Sequence, residues 1–410
     1  MTMQHTDDLR RSPFRSERVA ALLLLLAAVI GLVVANTAVG PAVLDLMDEH
    51  FAVPAIGFDI SLSHLISDGL LAVFFFIVAV ELRRELVIGE LNSLAKASLP
   101  AIAALGGVVV PAAIYLVMTA GTDLAAGWPI PTATDIAFAL GILAVFGSAM
   151  PTRVRVFLMA LAVLDDLVAI LIIAFFFTAG VQFAWIGAAA IAITAFGAVS
   201  RLLRPRSPWV LRRRPQWPLI AVMIVLGVLA WFFVYQSGVH ATIAGVALGF
   251  VIARRPGGRS VHALEPWSNG LILPVFAFSA ALVVIPAVAP AQFSPAFWAI
   301  LVALPVGKLV GITAGGLIGA SIFRGRPGAL RWPDLLPVAA LGGVGFTVSL
   351  LMNELAFSEH PLVVDEGTLA VLLGSGVAIV VSACVVSWRA RHYRRQARER
   401  TPGTAPSAAG

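Results

Sequence analysis

The chain has 410 residues, 60% of them hydrophobic and only 12% charged, which is far too apolar for a water-soluble domain and makes a bilayer its solvent. The formal net charge of +6 would suggest nucleic acid only if the basic residues formed one exposed stripe, and they do not. Cys384, the only cysteine, excludes a disulfide framework and a cysteine-based metal site, and reads as a small buried residue.

A spanning helix takes roughly 20 mostly apolar residues. Apolar runs broken by Pro, Gly and charged clusters fall at about 18–39, 61–82, 97–119, 130–147, 154–178, 182–200, 217–235, 238–253, 268–288, 296–320, 333–355 and 368–388. They predict an all-α polytopic membrane protein with 12 transmembrane helices. The first run follows basic residues from Arg10 to Arg18, as the core of a secretory signal does, but Ala35, Asn36 and Thr37 continue it without a cleavage site, so it reads as an uncleaved span. Residues 1–17 then form a cytoplasmic N-terminal segment, 18–388 the transmembrane domain and 389–410 a basic, then disordered, cytoplasmic tail.

Orientation follows from the arginines, because Lys and Arg near span ends are retained in the cytoplasm. They occur in the N-terminal segment, at Arg83 and Arg84, Arg153 and Arg155, Arg201 to Arg214, Arg254 to Arg259, Arg324 to Arg331, and from Arg389 to Arg400. Each group sits in an alternate connection. The intervening connections, around Asp45 to His50, Asp123, Gln182, Gln236, Gln292 and Glu354 to Glu366, contain no Lys or Arg. Both termini are therefore expected in the cytoplasm. The basic charge is largely topological; membrane lipid is the expected partner, with the Arg201 to Arg214 loop near headgroups, and nucleic acid is not.

Two spans invite interruption. One carries Pro129 and Pro131 beside Thr132 and Thr134; the other carries Gly342, Gly343 and Gly345 at its centre. Paired broken helices, one in each half of a transporter, point to a mid-membrane ion site, although Gly and Pro also serve close packing in membrane helices.

Once the connections are set aside, Asp135, Asp165, Asp166 and Lys308 remain deep inside spans, with Asp68 and Glu81 nearer the ends of the second. A charge at the bilayer centre costs at least about 2.5–3.5 kcal/mol, so such residues face a partner or a polar cavity. Lys308 is too far from either end of its span to snorkel and needs a buried counter-charge. Asp165 and Asp166 point about 100° apart on a helix, so they take different partners: one pairs with Lys308, the other shares a hydrated cavity with Asp135. Like-charged carboxylates in a partly desolvated site resist ionising together, which makes proton exchange plausible. The same oxygens, with threonine or backbone oxygens, suit sodium, a hard cation. One site that takes either a cation or protons, open to one side at a time, performs antiport by competition. His240, at the outer end of a span, either senses pH or bonds to the helix end. No phosphate-cradling loop or dinucleotide fingerprint is present, so ATP-driven pumping is unsupported.

The chain resembles the NhaA-type bacterial sodium/proton antiporters over almost its whole length. The resemblance rests on Pro131-Thr132-Ala133-Thr134-Asp135-Ile136-Ala137-Phe138-Ala139-Leu140-Gly141, on Phe157-Leu158-Met159-Ala160-Leu161-Ala162-Val163-Leu164-Asp165-Asp166-Leu167, and on Gly345-Phe346-Thr347-Val348-Ser349. It implies inverted repeats with discontinuous spans 4 and 11 crossing near the ion site. By the same resemblance, Asp166, with Asp165, is the ligand for Na+ or Li+, Asp165 pairs with Lys308, and Asp135 and Thr134 mark the crossing. Glu81, Arg84 and Glu85 match positions that regulate activity by pH, although a helix-end salt-bridge cluster explains them equally well. Val261 and Ala280 depart from the family pattern, which bears on the pH response. The resemblance further implies an electrogenic, alkaline-favoured exchange of Na+, Li+ and H+ in the inner membrane by a homodimer, with no cofactor and no enzymatic reaction. A sodium-coupled solute symporter is the alternative, but it needs a larger cavity and ligands for its solute; a channel would want rings of pore-lining groups.

Overall fold

The computed structural model describes residues 16–89, 91–178, 180–203, 216–285, 292–323 and 330–399. Helices dominate, because in lipid every backbone amide must find its partner inside the protein. In chain order they are α1 (Glu17–Ala35), the short α2 (Gly40–Met47), α3 (Leu71–Ile88), α4 (Leu94–Met118), α5 (Ile136–Phe146) and α6 (Thr152–Phe176). There follow α7 (Phe183–Leu202), α8 (Trp217–Gln236), α9 (Thr242–Val251), α10 (Arg254–Trp267) and α11 (Leu273–Ala280). The last are α12 (Pro295–Val302), α13 (Lys308–Ile322), α14 (Trp332–Gly342), α15 (Phe346–Ala356) and α16 (Pro361–Glu399).

Among the described residues, 9 helical stretches are long and apolar enough to cross a bilayer, and α14 with α15, bent by 48° at their break, make a tenth if taken as one span. Of the other two expected spans, one is the short helix α9, and the other is the apolar end of an unbroken helical run that passes from α10 through a π-helical turn over Ser268–Ile272 into α11. After α9 the chain turns extended at Ile252 and Ala253 before the arginine-rich α10 begins. The run expected over 268–288 leaves the helix at Ala280. Its next residues are held open by Asn36, which donates to the Val283 carbonyl at 2.8 Å and accepts from the Ile285 amide at 2.8 Å. Pro286 reinforces this, since a residue before proline is pushed out of the helical region.

The all-α expectation needs correcting in one place. His50–Val53 (β1) and Phe58–Ser61 (β2) pair antiparallel, with His50 opposite Ser61 and Val53 opposite Phe58. Gly57, with φ of 63°, closes the turn between them. Cys384 also departs from expectation, since it is exposed on α16. That helix continues to Glu399, past the boundary expected at 388. The N-terminal residues 1–15, most of the Arg201 to Arg214 loop and the tail from 400 onward lie outside the described residues.

Close backbone approach organises the packing. α4 lies along α13, and α3 along α9. A Cβ on Gly106 of α4 would run into the Gly311 carbonyl and stand 3.2 Å from the Gly315 Cα of α13. One on Gly245 of α9 would meet the backbone of Ala72 in α3. Small residues let membrane helices gain dispersion contacts where lipid offers no hydrophobic drive. Leu22, Leu26, Ile30 and Val33 of α1 are exposed, the arrangement expected where lipid replaces water outside the bundle.

Candidate ion-binding site

Both interruptions arise from local chemistry. Pro129 and Pro131 start a single 3-10 turn over Ile130–Thr132, after which Ala133 and Asp135 are extended and α5 begins afresh at Ile136. Asp135 is the N-cap of that new helix: its Oδ1 accepts from the amides of Ala137 at 3.0 Å and Phe138 at 3.2 Å, satisfying donors that a helix start leaves without partners. At the second interruption, Gly343, Val344 and Gly345 separate α14 from α15. The two breaks touch, since the Asp135 amide donates to the Val344 carbonyl at 2.6 Å and the Ser349 hydroxyl to the Ile130 carbonyl at 2.8 Å.

Breaking helices inside a membrane leaves charged ends, and the ionisable groups are placed against them. Asp135 stands between two positive ends. Besides capping α5, its Oδ2 accepts from the hydroxyl of Thr347 at 2.7 Å and the amide of Thr347 at 3.3 Å, in the first turn of α15. Lys308 stands by a negative end. Its ammonium donates to the Thr134 hydroxyl at 3.0 Å, and that hydroxyl lies 2.8 Å from the carbonyl of Gly342, the last residue of α14.

Asp165 and Asp166 sit side by side in α6 and part company as the helix turns. Asp165 takes the lysine. Its Oδ2 lies 2.7 Å from Lys308 Nζ and 2.7 Å from Thr134 Oγ1, and both members of the ion pair are fully buried. Asp165 Oδ1 is buried without a hydrogen-bond partner. Asp166 is buried too, and among the described residues it makes no hydrogen bond. The like charges of Asp165, Asp135 and Glu81 act on it, as does the opposite charge of Lys308. A buried carboxylate without a bonded partner is costly, so Asp166 can be held by a proton or by a bound cation. Asp135 does not share that freedom, because both its oxygens are committed to helix ends.

Among the described residues no three His, Cys, Asp or Glu side chains converge on one point. A cation held at this cluster would therefore have to draw part of its coordination from hydroxyl, carbonyl or water oxygens. The four residues expected to regulate by pH separate into two places. Glu81, Arg84 and Glu85 lie toward the end of α3, where Glu81 feels Glu265, Arg84 and Glu85. His240 lies at the other end of the same span, 3.9 Å from Asp68, beside Glu354, whose Oε1 accepts from Ser67 at 3.3 Å.

Sequence reasoning missed Thr347 as a partner of Asp135, though Thr347 stands in a motif that drew attention. It also missed Asp334. That fully buried carboxylate receives Arg389 Nε at 2.7 Å, Arg153 at 2.8 Å and the Tyr393 hydroxyl at 2.8 Å, tying the starts of α14 and α6 to α16. Asp334 sits three residues after Arg331, at the very start of the run expected over 333–355, where a charge at a span end did not stand out from the neighbouring connection.

Apolar spans packed around buried acids and a buried lysine, gathered where two interrupted helices touch, define a polytopic membrane protein with a charged cluster in its interior. Residues 11–386 match the Na+/H+ antiporter 1 family, and the chain belongs to that family. It is 60% identical over 386 residues to the Na(+)/H(+) antiporter NhaA 2 of Clavibacter michiganensis subsp. michiganensis, covering 94% of this chain and 93% of that protein. It is 45% identical over 399 residues to the Na(+)/H(+) antiporter NhaA of Tropheryma whipplei (strain Twist), covering 96% and 98%. The Na(+)/H(+) antiporter NhaA 3 of Streptomyces coelicolor is 42% identical over 398 residues, covering 93% and 80%.

Proposed function

We propose that the chain is a secondary active antiporter of the bacterial inner membrane, in which proton entry expels cytoplasmic sodium. Family membership and the names of the relatives support this reading. The observation that carries it is Asp166: buried, without a hydrogen bond among the described residues, and next to an Asp165–Lys308 ion pair. Sodium and protons compete for that carboxylate. Alternating exposure of the site to the two faces then turns competition into exchange, with no covalent bond made or broken.

The finer parts of the reading rest on the same geometry. Lithium is also a small hard cation and suits the same oxygens. If Asp166 and the Asp165–Lys308 pair together pass more protons than the charge of one sodium, the cycle is electrogenic. Glu81, whose charge acts on Asp166, couples the α3 cluster with Arg84 and Glu85 to the site, while His240 beside Asp68 supplies a titratable pair at the outer end. Twelve spans in inverted repeats are obtained by counting α9 and the segment ending in α11 as short spans, with the fourth and eleventh interrupted and crossing at Asp135 and Val344. Both termini are then cytoplasmic, and the β1–β2 hairpin is the candidate contact of a homodimer.

Everted membrane vesicles with a fluorescent proton probe test the proposal. Added sodium or lithium should dequench the probe without any organic solute, and Asp166→Asn should reduce the response to background. A response that appears only with a co-transported solute would instead make the protein a sodium-coupled symporter.

A further inference from the structure

A cavity of about 600 Å3 opens at the arginine-rich end of the bundle, between the end of α3 and the start of α10. Arg83, Arg84, Arg254, Arg255 and Arg259 line it, and among the described residues no acidic side chain does. Arginines at span ends ordinarily spread into water. Here two segments far apart in the chain bring five guanidinium groups onto one concave surface.

We propose that this cavity binds a phosphate anion, presented either as the headgroup of an anionic phospholipid or as free phosphate. The planar guanidinium fork matches phosphate oxygens two at a time, and its charge is permanent. Two of the five groups are fixed in place by neutral acceptors. Arg83 donates to the Phe250 carbonyl at 2.9 Å and to the Ile252 carbonyl, and Arg259 to the Leu203 carbonyl at 3.2 Å and Gln216 Oε1 at 3.2 Å. Carbonyl and amide oxygens orient these side chains without cancelling their charge. Arg254 and Arg255 make no hydrogen bond or ion pair among the described residues. They open α10, whose first turn carries neither an acidic residue nor a side-chain cap, so the positive end of the helix dipole adds to the field. Glu81, Glu85 and Glu265 on the same two helices weaken that field, and the charge of Arg84 acts on Glu81, but none of the three lines the cavity.

The apolar part of the wall suits a lipid source. Val87 and Ile88 border the cavity and are 60% and 45% exposed, as a surface beside acyl chains would be. A bound phosphate would bridge α3 to α10, and α3 carries Glu81, whose charge acts on Asp166. The site is nonetheless separate from the ion site, and its occupancy does not depend on the transport reading.

The test uses the full chain in phosphatidylcholine nanodiscs and follows the thermal unfolding midpoint. One arm adds phosphatidylglycerol to the bilayer; the other titrates inorganic phosphate. Stabilisation in the first arm alone identifies the lipid headgroup, and stabilisation in the second identifies the free anion. The paired substitution Arg254→Gln with Arg255→Gln should weaken the response by about tenfold or more, as loss of charged hydrogen bonds implies. Gly258→Glu is the second variant. A Cβ there meets nothing within 4 Å, so the fold should tolerate a carboxylate at the cavity edge while the anion response disappears. A parent protein that responds to neither probe, or variants that respond as the parent does, would overturn the proposal.

Discussion

Asp165 and Asp166 are chemically identical neighbours with different surroundings. Lys308 and Thr134 both bond one oxygen of Asp165, whereas Asp166 has no bonded partner among the described residues. Substitution should therefore separate stability from transport. Asp165→Asn leaves the Lys308 ammonium buried without its counter-charge, a loss of about 3–5 kcal/mol, which a lowered unfolding midpoint in detergent would register. Adding Lys308→Met to that variant should restore most of the loss; a double-mutant cycle with no coupling between the two positions would refute the pairing. Asp166→Asn should keep the parent's midpoint, or raise it, while losing sodium-dependent exchange. Thr347→Val removes a hydrogen bond to a charged carboxylate, worth about 1.5–3 kcal/mol, and should destabilise the protein more than Thr194→Val, whose hydroxyl only returns to its own helix at the Ala190 carbonyl.

Interrupted helices need their ends held, and the holding groups come from elsewhere in the chain. α14 is anchored at its start by Asp334, which Arg153 of α6 and Arg389 and Tyr393 of α16 all bond. The Asp334 side chain is fully buried and the Arg153 side chain is 49% exposed, so the inner partner, Arg389, carries more of the interaction. Asp334→Asn is expected to lower the unfolding midpoint and slow exchange together, because α14 ends at the Gly342 carbonyl that Thr134 bonds. Arg153→Gln should have a smaller effect on both. Packing between whole helices depends on the absence of side chains: Gly106→Val would drive a branched residue into the backbone of α13 around Gly311. That helix carries Lys308, so the variant is expected to accumulate poorly or to unfold at a markedly lower temperature.

For the molecule as a whole, the arrangement of arginines makes a prediction about sidedness. In a Cys384→Ser background, single cysteines at Asp59 in β2 and at Arg201 at the end of α7 should respond oppositely to a membrane-impermeant maleimide. Intact cells should label the first and everted vesicles the second. Labelling of both from one side would break the alternation on which the twelve-span reading depends. The hairpin offers a further check: removing β1, β2 and their turn should shift the purified protein from dimer to monomer in light scattering if that element joins two copies.

Composition, hydropathy runs and the alternation of arginines were enough to define a polytopic helical protein, because transfer into lipid acts on each residue nearly independently and leaves its record along the chain. The same additive cost singled out Asp135, Asp165, Asp166 and Lys308. Residue spacing left open which aspartate meets Lys308 and the family resemblance pointed to Asp165, but the contact itself, and the binding of Asp135 to two helix ends, depend on how α5, α6, α13 and α15 are set against one another. Spacing along a chain carries no direct account of such contacts between distant segments. For the same reason the Asp334 cluster, the early end of α11 under the grip of Asn36, and the convergence of two arginine segments on one cavity belong to the tertiary structure alone: each joins residues that only folding brings within bonding distance.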